Sequence, residues 1–243
     1  DTSTSTELEN ATISILNESS NLIDTLHYVD NGFYVGSKSP NNGSYVLNIK
    51  SILNENTTSI SSLPNPISAV IIDTLSYINN GNNRLEISIN FDDPINDENY
   101  FEIGVYMKKR KMSLNTNSNG QTDTNYSLTC KWMNLKCDDQ NIEKTINSNL
   151  IFNDKLFNGS NKTLVFDVRN RVKDFSNDPS NEILNFDVYF MNISSSLYHF
   201  HKSLKNHVNT SSDPFSQPTQ VYSNIYNGIG VFAGASPFKI SLF

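Results

Sequence analysis

The residues that could do chemistry are few, and their spacing narrows what they can do. Cys130 and Cys137 are the only cysteines in the 243-residue chain. A metal site would need companion cysteines or histidines at ligand spacing, and the neighbouring sequence supplies none. The pair reads as a local disulfide across a short turn or loop, which is the chemistry of an exported protein. The alternative is two reduced thiols facing opposite ways. His199 and His201 flank Phe200 within a helical pattern. Side chains two apart on a helix point to nearly opposite sides, so the two imidazoles cannot share an ion. His201 falls on the packed side of that pattern and His199 outside it. Asp92, Asp93, Asp97 and Glu98 crowd one turn and offer oxygen atoms to a calcium ion, but they lack the ligand spacing and central glycine of a calcium loop. They read as solvated turn carboxylates. No metal ligand and no cofactor is assigned.

Catalytic arrangements are missing as well. The chain has no Gly-x-Ser-x-Gly elbow, no His-Glu-x-x-His and no phosphate-cradling glycine loop. Carboxylates are too numerous in the turns to nominate one acid–base pair, so no catalytic residue is assigned and the chain reads as a non-enzyme. A formal net charge of −7 and a pI near 5.0 exclude nucleic acid as the expected partner, because a phosphate-binding surface needs clustered Lys and Arg. One basic run, Lys108-Lys109-Arg110-Lys111, follows a strand pattern and reads as a solvated loop. No apolar run approaches the ~18 residues of a membrane helix. Asn-x-Ser/Thr triplets at Asn10, Asn56, Asn158 and Asn192 arise by chance in a chain this rich in Asn, Ser and Thr, and decide nothing.

The elements that must position these residues are mostly strands, for which 14 Phe and 11 Tyr supply bulky core side chains. Ala11-Thr12-Ile13-Ser14-Ile15-Leu16 alternates apolar with polar. Asn31-Gly32 turns the chain into Phe33-Tyr34-Val35, and Asn42-Gly43 turns it into residues 44–49. Residues 54–68, rich in Ser and Thr with two prolines, read as a linker or edge strand. Further strands are expected over 70–77, 84–91, 100–106, 164–168 and 183–190, with a tight turn at 79–83. Residues 112–150 are the least regular part and carry both cysteines and Trp132; such an insertion is a mobile loop or a binding element. One helix is expected at 195–209, capped by Ser195 or Ser196, with Leu197, His201, Leu204 and Val208 at three-to-four spacing.

The closing string is the most specific part of the sequence. It runs Asp213-Pro214-Phe215-Ser216-Gln217-Pro218, Val221-Tyr222-Ser223-Asn224-Ile225 and Asn227-Gly228-Ile229-Gly230-Val231-Phe232. With Asp93-Pro94 before Asn99-Tyr100-Phe101, and with Phe152-Asn153-Asp154-Lys155-Leu156-Phe157-Asn158-Gly159, it resembles the DUF4249 family of Bacteroidota outer-membrane lipoproteins, from about Asn10 onward. The resemblance implies a mainly β protein in two parts. Residues 1–65 would form a transthyretin-like or immunoglobulin-like sandwich, incomplete at its start because a family member would begin with a lipidated cysteine and earlier strands. Residues 66–243 would form a larger β-domain with the helix packed on it and the insertion at about 112–150.

In setting, the family is similar to the accessory lipoproteins of SusC-type TonB-dependent transporters. The expected function is therefore a non-enzymatic lipoprotein, lipid-anchored at the cell surface, that binds or helps deliver a nutrient ligand such as a glycan, a peptide or a host iron carrier. The alternative is a structural subunit of an outer-membrane transporter or secretion assembly with no ligand site of its own. Candidate ligand anchors are Trp132, Met133 and Tyr126 in the cysteine-bearing insertion, where a pinned loop would lose less entropy on binding. Equally, Trp132 could plug the core beneath its own loop. A concave aromatic pocket near 112–150 would favour ligand binding, and a broad exposed apolar surface near 11–50 would favour the structural role.

Overall fold

The computed structural model of the chain describes residues 8–51, 56–79, 81–95, 97–116, 119, 122–169, 181–211, 217 and 219–242. In chain order its elements are β1 (Thr12–Asn17), β2 (Leu22–Tyr28), β3 (Tyr34–Val35), β4 (Gly43–Lys50), β5 (Asn56–Leu63), β6 (Ala69–Asn79), β7 (Asn82–Asp92) and β8 (Tyr100–Thr116). There follow β9 (Thr122–Trp132), β10 (Asn134–Lys136), β11 (Glu143–Lys144), β12 (Leu150–Asn153), β13 (Asn161–Arg169), β14 (Asn181–Ile193), α1 (Ser195–Ser211), β15 (Ile225–Tyr226) and β16 (Ala235–Ser241). The mainly β architecture with one helix is the one expected from the sequence. Most of the string at 213–218 lies outside the described residues.

The chain divides into two compact units, Asp1–Asn65 with Ile193–Ala235, and Pro66–Asn192 with Ser236–Phe243. This differs from a boundary near residue 65 alone, because the helix and the closing string group with the first unit. The reason is a return of the chain onto β5. Ile225 pairs with Ser59 and Tyr226 with Thr58, and the Asn224 side chain donates to Ile60 O at 3.1 Å.

In the first unit six strands form one sheet in the order β15-β5-β4-β1-β2-β3. The Asn31-Gly32 turn between β2 and β3 is present, with φ of 47° and 77°, the left-handed pair that two-residue hairpins require. Strand β5 corrects the linker reading, since it pairs along its length with β4; it buries Ser59 and Ser61 and exposes Ile60, so no apolar row marks its inner face. Strand β2 is not expected from the sequence and carries the buried Asp24 in its first half. That carboxylate accepts from the backbone N–H of Ser37 and Lys38, so a charge mid-strand hides an otherwise apolar pattern. Helix α1 is capped one residue earlier than expected, by Ser194, whose hydroxyl accepts from Leu197 N–H at 3.4 Å.

The second unit is a sandwich. One sheet runs β10-β13-β7-β6 and the other β11-β12-β8-β14-β16, with β9 paired to β8 alone. Alternate residues point inward, so Leu85, Ile87, Ile89 and Phe91 of β7 meet Phe101, Ile103, Val105 and Met107 of β8 in one core. Phe91 lies 4.6 Å from Phe190 and 5.2 Å from Phe101, ring centre to ring centre. Burying each such ring stabilises the fold by about 2–3 kcal/mol, which makes this core the anchor for whatever β8 carries outward.

Candidate functional site: the ribbon of β8 and β9

Strand β8 is 17 residues long, far longer than the sheet it belongs to requires. Its first half is buried and its second half runs out of the core with only β9 beside it on that side. The expected irregular insertion at 112–150 is thus largely regular. Its pattern was hard to read because a two-stranded ribbon in solvent has no buried face to impose a strict apolar alternation. The basic run at 108–111 likewise sits on a strand, not in a loop.

The register sorts the ribbon into two unlike faces. Directly opposed residues in an antiparallel pair point to the same side. One face therefore holds Tyr106 with Trp132, Lys108 with Cys130, Arg110 with Leu128, Met112 with Tyr126 and Leu114 with Thr124. The other holds Lys109 with Thr129, Lys111 with Ser127, Ser113 with Asn125 and Asn115 with Asp123. The first face is an aromatic and aliphatic stripe interrupted by two cations; the second starts in the core at Met107 opposite Lys131 and is polar beyond it. Leu114, Tyr126, Leu128 and Trp132 are all at least half exposed.

Trp132 forms the root of the stripe. Its ring centre is 5.4 Å from that of Tyr106 and 5.4 Å from that of Tyr189 on β14, yet half of the residue (50%) remains open to solvent. The ring lies across Gly104, where a Cβ would approach it to 2.8 Å, so glycine is what lets the indole settle on the sheet. The residue neither plugs the core nor floats on a loop; it is a rigid platform. Tyr126, 61% exposed, is steadied by the Arg110 guanidinium 5.2 Å over its ring, while Arg110 also ion-pairs with Glu182. Met133 must be set apart from these two. It is 2% exposed, packs in the core and donates its N–H to Val105 O at 2.8 Å. Between residues 106 and 132 the chain has five cations and one carboxylate, Asp123, in a protein of net charge −7.

The cysteines do not form the expected disulfide; both are free thiols. Cys130 is on the exposed ribbon opposite Lys108, hydrogen-bonded to the Tyr106 hydroxyl, which raises that phenol's pKa above its ordinary value. Cys137 follows β10 on the other sheet and donates to Val165 O at 3.2 Å. One thiol stays with β8 and the other with β13, so the two strands hold them apart. Burial pushes the Cys137 thiol up, which keeps it protonated and a poor nucleophile.

A concave feature apart from the ribbon surrounds Cys137. A recess of about 260 Å³ is lined by Glu86, the Lys136–Asp139 turn and Thr163–Asp167 of β13. Across the sheet Asp167 stands opposite Glu86 on one side and Lys136 on the other. The Tyr77 hydroxyl donates to Asp167 Oδ1 at 2.8 Å, and this hydrogen bond raises the Tyr77 pKa. The recess is polar rather than aromatic. Neither Tyr189, Leu128 nor the Arg110–Tyr126 pair is singled out in the sequence; the visible signal is the alternation of Tyr126, Leu128, Cys130 and Trp132 with polar residues.

The residues of the closing string do something else. Asn224 donates to Phe232 O and accepts from Phe232 N–H, and Ser223 Oγ accepts from Gly230 N–H. Gly234 passes so close to β5 that a Cβ would come within 2.2 Å of Ser62 O. The string is a device for locking the returning chain, and its specificity is structural.

Fold and surface together define a mainly β protein of two units, the second a sandwich from which a ribbon rooted in the core exposes Tyr126 and Trp132. The chain matches the family described as "Domain of unknown function (DUF4249)" over residues 1–241 and belongs to it. No curated protein matches the chain.

Proposed function

We propose that this protein is a non-enzymatic recognition lipoprotein of the outer-membrane surface. In this reading the ribbon of β8 and β9 binds a nutrient ligand (a glycan, a peptide or a host iron carrier) or docks a SusC-type TonB-dependent transporter that takes it up. The observation that carries the reading is the two-faced ribbon: an aromatic and aliphatic stripe held in solvent by a rigid sheet. Exposed aromatic residues near Arg are the side chains that dominate binding surfaces, and their prepaid order lowers the entropy lost on binding. The cellular setting rests on the family resemblance.

The experiment is a pull-down of the tagged full-length lipoprotein from detergent-solubilised outer membranes, beside the double variant Trp132→Ala/Tyr126→Ala. Co-purification of a transporter with wild type, falling at least about tenfold with the variant, supports the reading. A wild-type protein that comes down alone, or a variant that recovers as much partner, overturns it. A second reading has its own observation. Leu22, Val29, Phe33 and Val35 are exposed along β2 and β3 at one edge of the first sheet, and β3 covers only two residues of β2. A fixed neighbour in a membrane assembly would cover that edge. Loss of the transporter on Phe33→Ser rather than on the ribbon variant would favour it.

A further inference from the structure

At the inner end of β8 lies a cluster of polar groups that the ribbon reading does not use. Two connections meet there, the one between β7 and β8 and the one between β12 and β13. Asp93 N–H donates to Ser160 O, and Gly159 N–H donates to Asp93 Oδ2. Asp154 and Asn99 are tied twice: Asp154 N–H to Asn99 O at 3.2 Å, and Asn99 N–H to Asp154 Oδ2 at 2.7 Å. Asn99 and Asn158 both direct their amides at the backbone oxygen of Asp97.

Each carboxylate therefore uses one oxygen on a backbone amide. The other oxygen of each, Asp93 Oδ1 and Asp154 Oδ1, is shut off from solvent with no hydrogen-bond partner. Asp93 is 6% exposed and Asp154 only 1%. Leaving one buried carboxylate oxygen without a donor is unfavourable; two in one knot, with Asp97 beside them, compound the repulsion. Among the described residues no Lys or Arg pairs with either, and the nearby Lys155 is engaged by Glu98 at 3.4 Å.

We propose that Asp93 and Asp154 hold a hard divalent cation, Ca²⁺ by preference, that pins the two connections at the start of β8. The donor set argues for the class of ion. Carboxylate, amide and backbone oxygens surround the place, with no thiol or imidazole among the residues of the knot, and that chemistry suits Ca²⁺ or Mg²⁺ rather than a transition metal. Among the described residues no three acidic, histidine or cysteine side chains converge as a metal cluster. The site thus offers two carboxylates, and a low charge count gives affinity in the range of extracellular modules, about 0.1–1 mM.

The test is thermal unfolding of the chelator-stripped full chain against CaCl₂ from zero to about 10 mM, with NaCl-matched controls, beside Asp93→Asn and Asp154→Asn and with calorimetric titration of CaCl₂. The expected result is a rise in Tm of about 3–5 °C at tenfold excess over Kd. Asp93→Asn should stay folded, because its amide oxygen still accepts from Gly159, and should lose that rise. An unchanged wild-type Tm with no calorimetric heat overturns the proposal, leaving a shared proton to satisfy the two oxygens. A rise equal in wild type and Asp93→Asn also overturns it, since the ion then binds elsewhere.

Discussion

The two ends of β8 make opposite use of the same strand. At Tyr100–Met107 alternate side chains enter the sandwich core, and Phe101, Ile103, Val105 and Met107 have no solvent exposure at all. Beyond Lys108 the core-facing row turns polar, with Lys109, Lys111, Ser113 and Asn115, while the opposite row, which starts at Tyr106, carries Leu114 at 60% exposure. The same antiparallel strand thus carries two rows, one apolar inside the sandwich and polar beyond it, the other presenting aromatic and aliphatic side chains from Tyr106 outward. The lesson is that stability and recognition are divided along one strand: the buried end fixes position, and the exposed end presents chemistry whose loss costs the fold little.

The largest expected effects test that division directly. Phe101 stacks within 5.0 Å of Phe152 and 5.3 Å of Phe190, so Phe101→Ala should destabilise by about 3–5 kcal/mol. Tyr126→Ala, on the ribbon, should cost about 0.5 kcal/mol or less. Urea unfolding of both variants reads the contrast. A loss of 2 kcal/mol or more for Tyr126→Ala would mean that the ribbon face is packed against something and is not a free surface.

The same division decides what could be read from the sequence. Strands with one buried face were legible: β1, β4, β7, β13 and β14 were expected within a few residues of where they lie, because period-two alternation is the imprint of a half-buried sheet. On the ribbon only β9 keeps that alternation, at Tyr126, Leu128, Cys130 and Trp132; on β8 the run Lys108–Lys111 breaks it, because exposure removes the constraint that writes the pattern. Of the candidate anchors, Trp132 and Tyr126 could be chosen by type alone, but the face they share depends on register, which the sequence between them did not fix. Met133 shows the cost of that gap. One position beyond Trp132 it points to the opposite side, into the core. The disulfide failed for a different reason, as closeness in sequence says nothing about two strands that leave for different sheets.

The junction between the two ends offers a sharper, smaller test. Gly104 lets the Trp132 ring lie on the sheet, and a methyl group there would meet the ring at 2.8 Å and Asn149 Oδ1 at 3.2 Å. Gly104→Ala should therefore lift the indole, at a cost of about 1–2 kcal/mol. Trp132 is the only tryptophan, so its fluorescence reports this event alone. The emission maximum should move to the red as the ring loses Tyr106 and Tyr189, with the unfolding transition still cooperative. An unmoved spectrum would show that the platform does not depend on this close approach.

The smallest effect concerns how the outer ribbon is steadied without a core. Arg110 touches Tyr126 by cation–π contact and Glu182 by an ion pair, and both charged side chains of that pair are about half exposed. Solvent screens an ion pair so placed, so Glu182→Gln should change stability by less than about 0.5 kcal/mol. The cation–π partner should contribute a comparable amount. A double-mutant cycle on Arg110 and Tyr126 isolates it, and the coupling should be about 0.5–1 kcal/mol. Added salt separates the two contacts. About 0.5 M NaCl should erase the Arg110–Glu182 coupling while leaving most of the guanidinium's hold on the ring. If salt removes both alike, Tyr126 is not pre-ordered by Arg110, and the ribbon would bind its partner at the full entropic cost of fixing that ring.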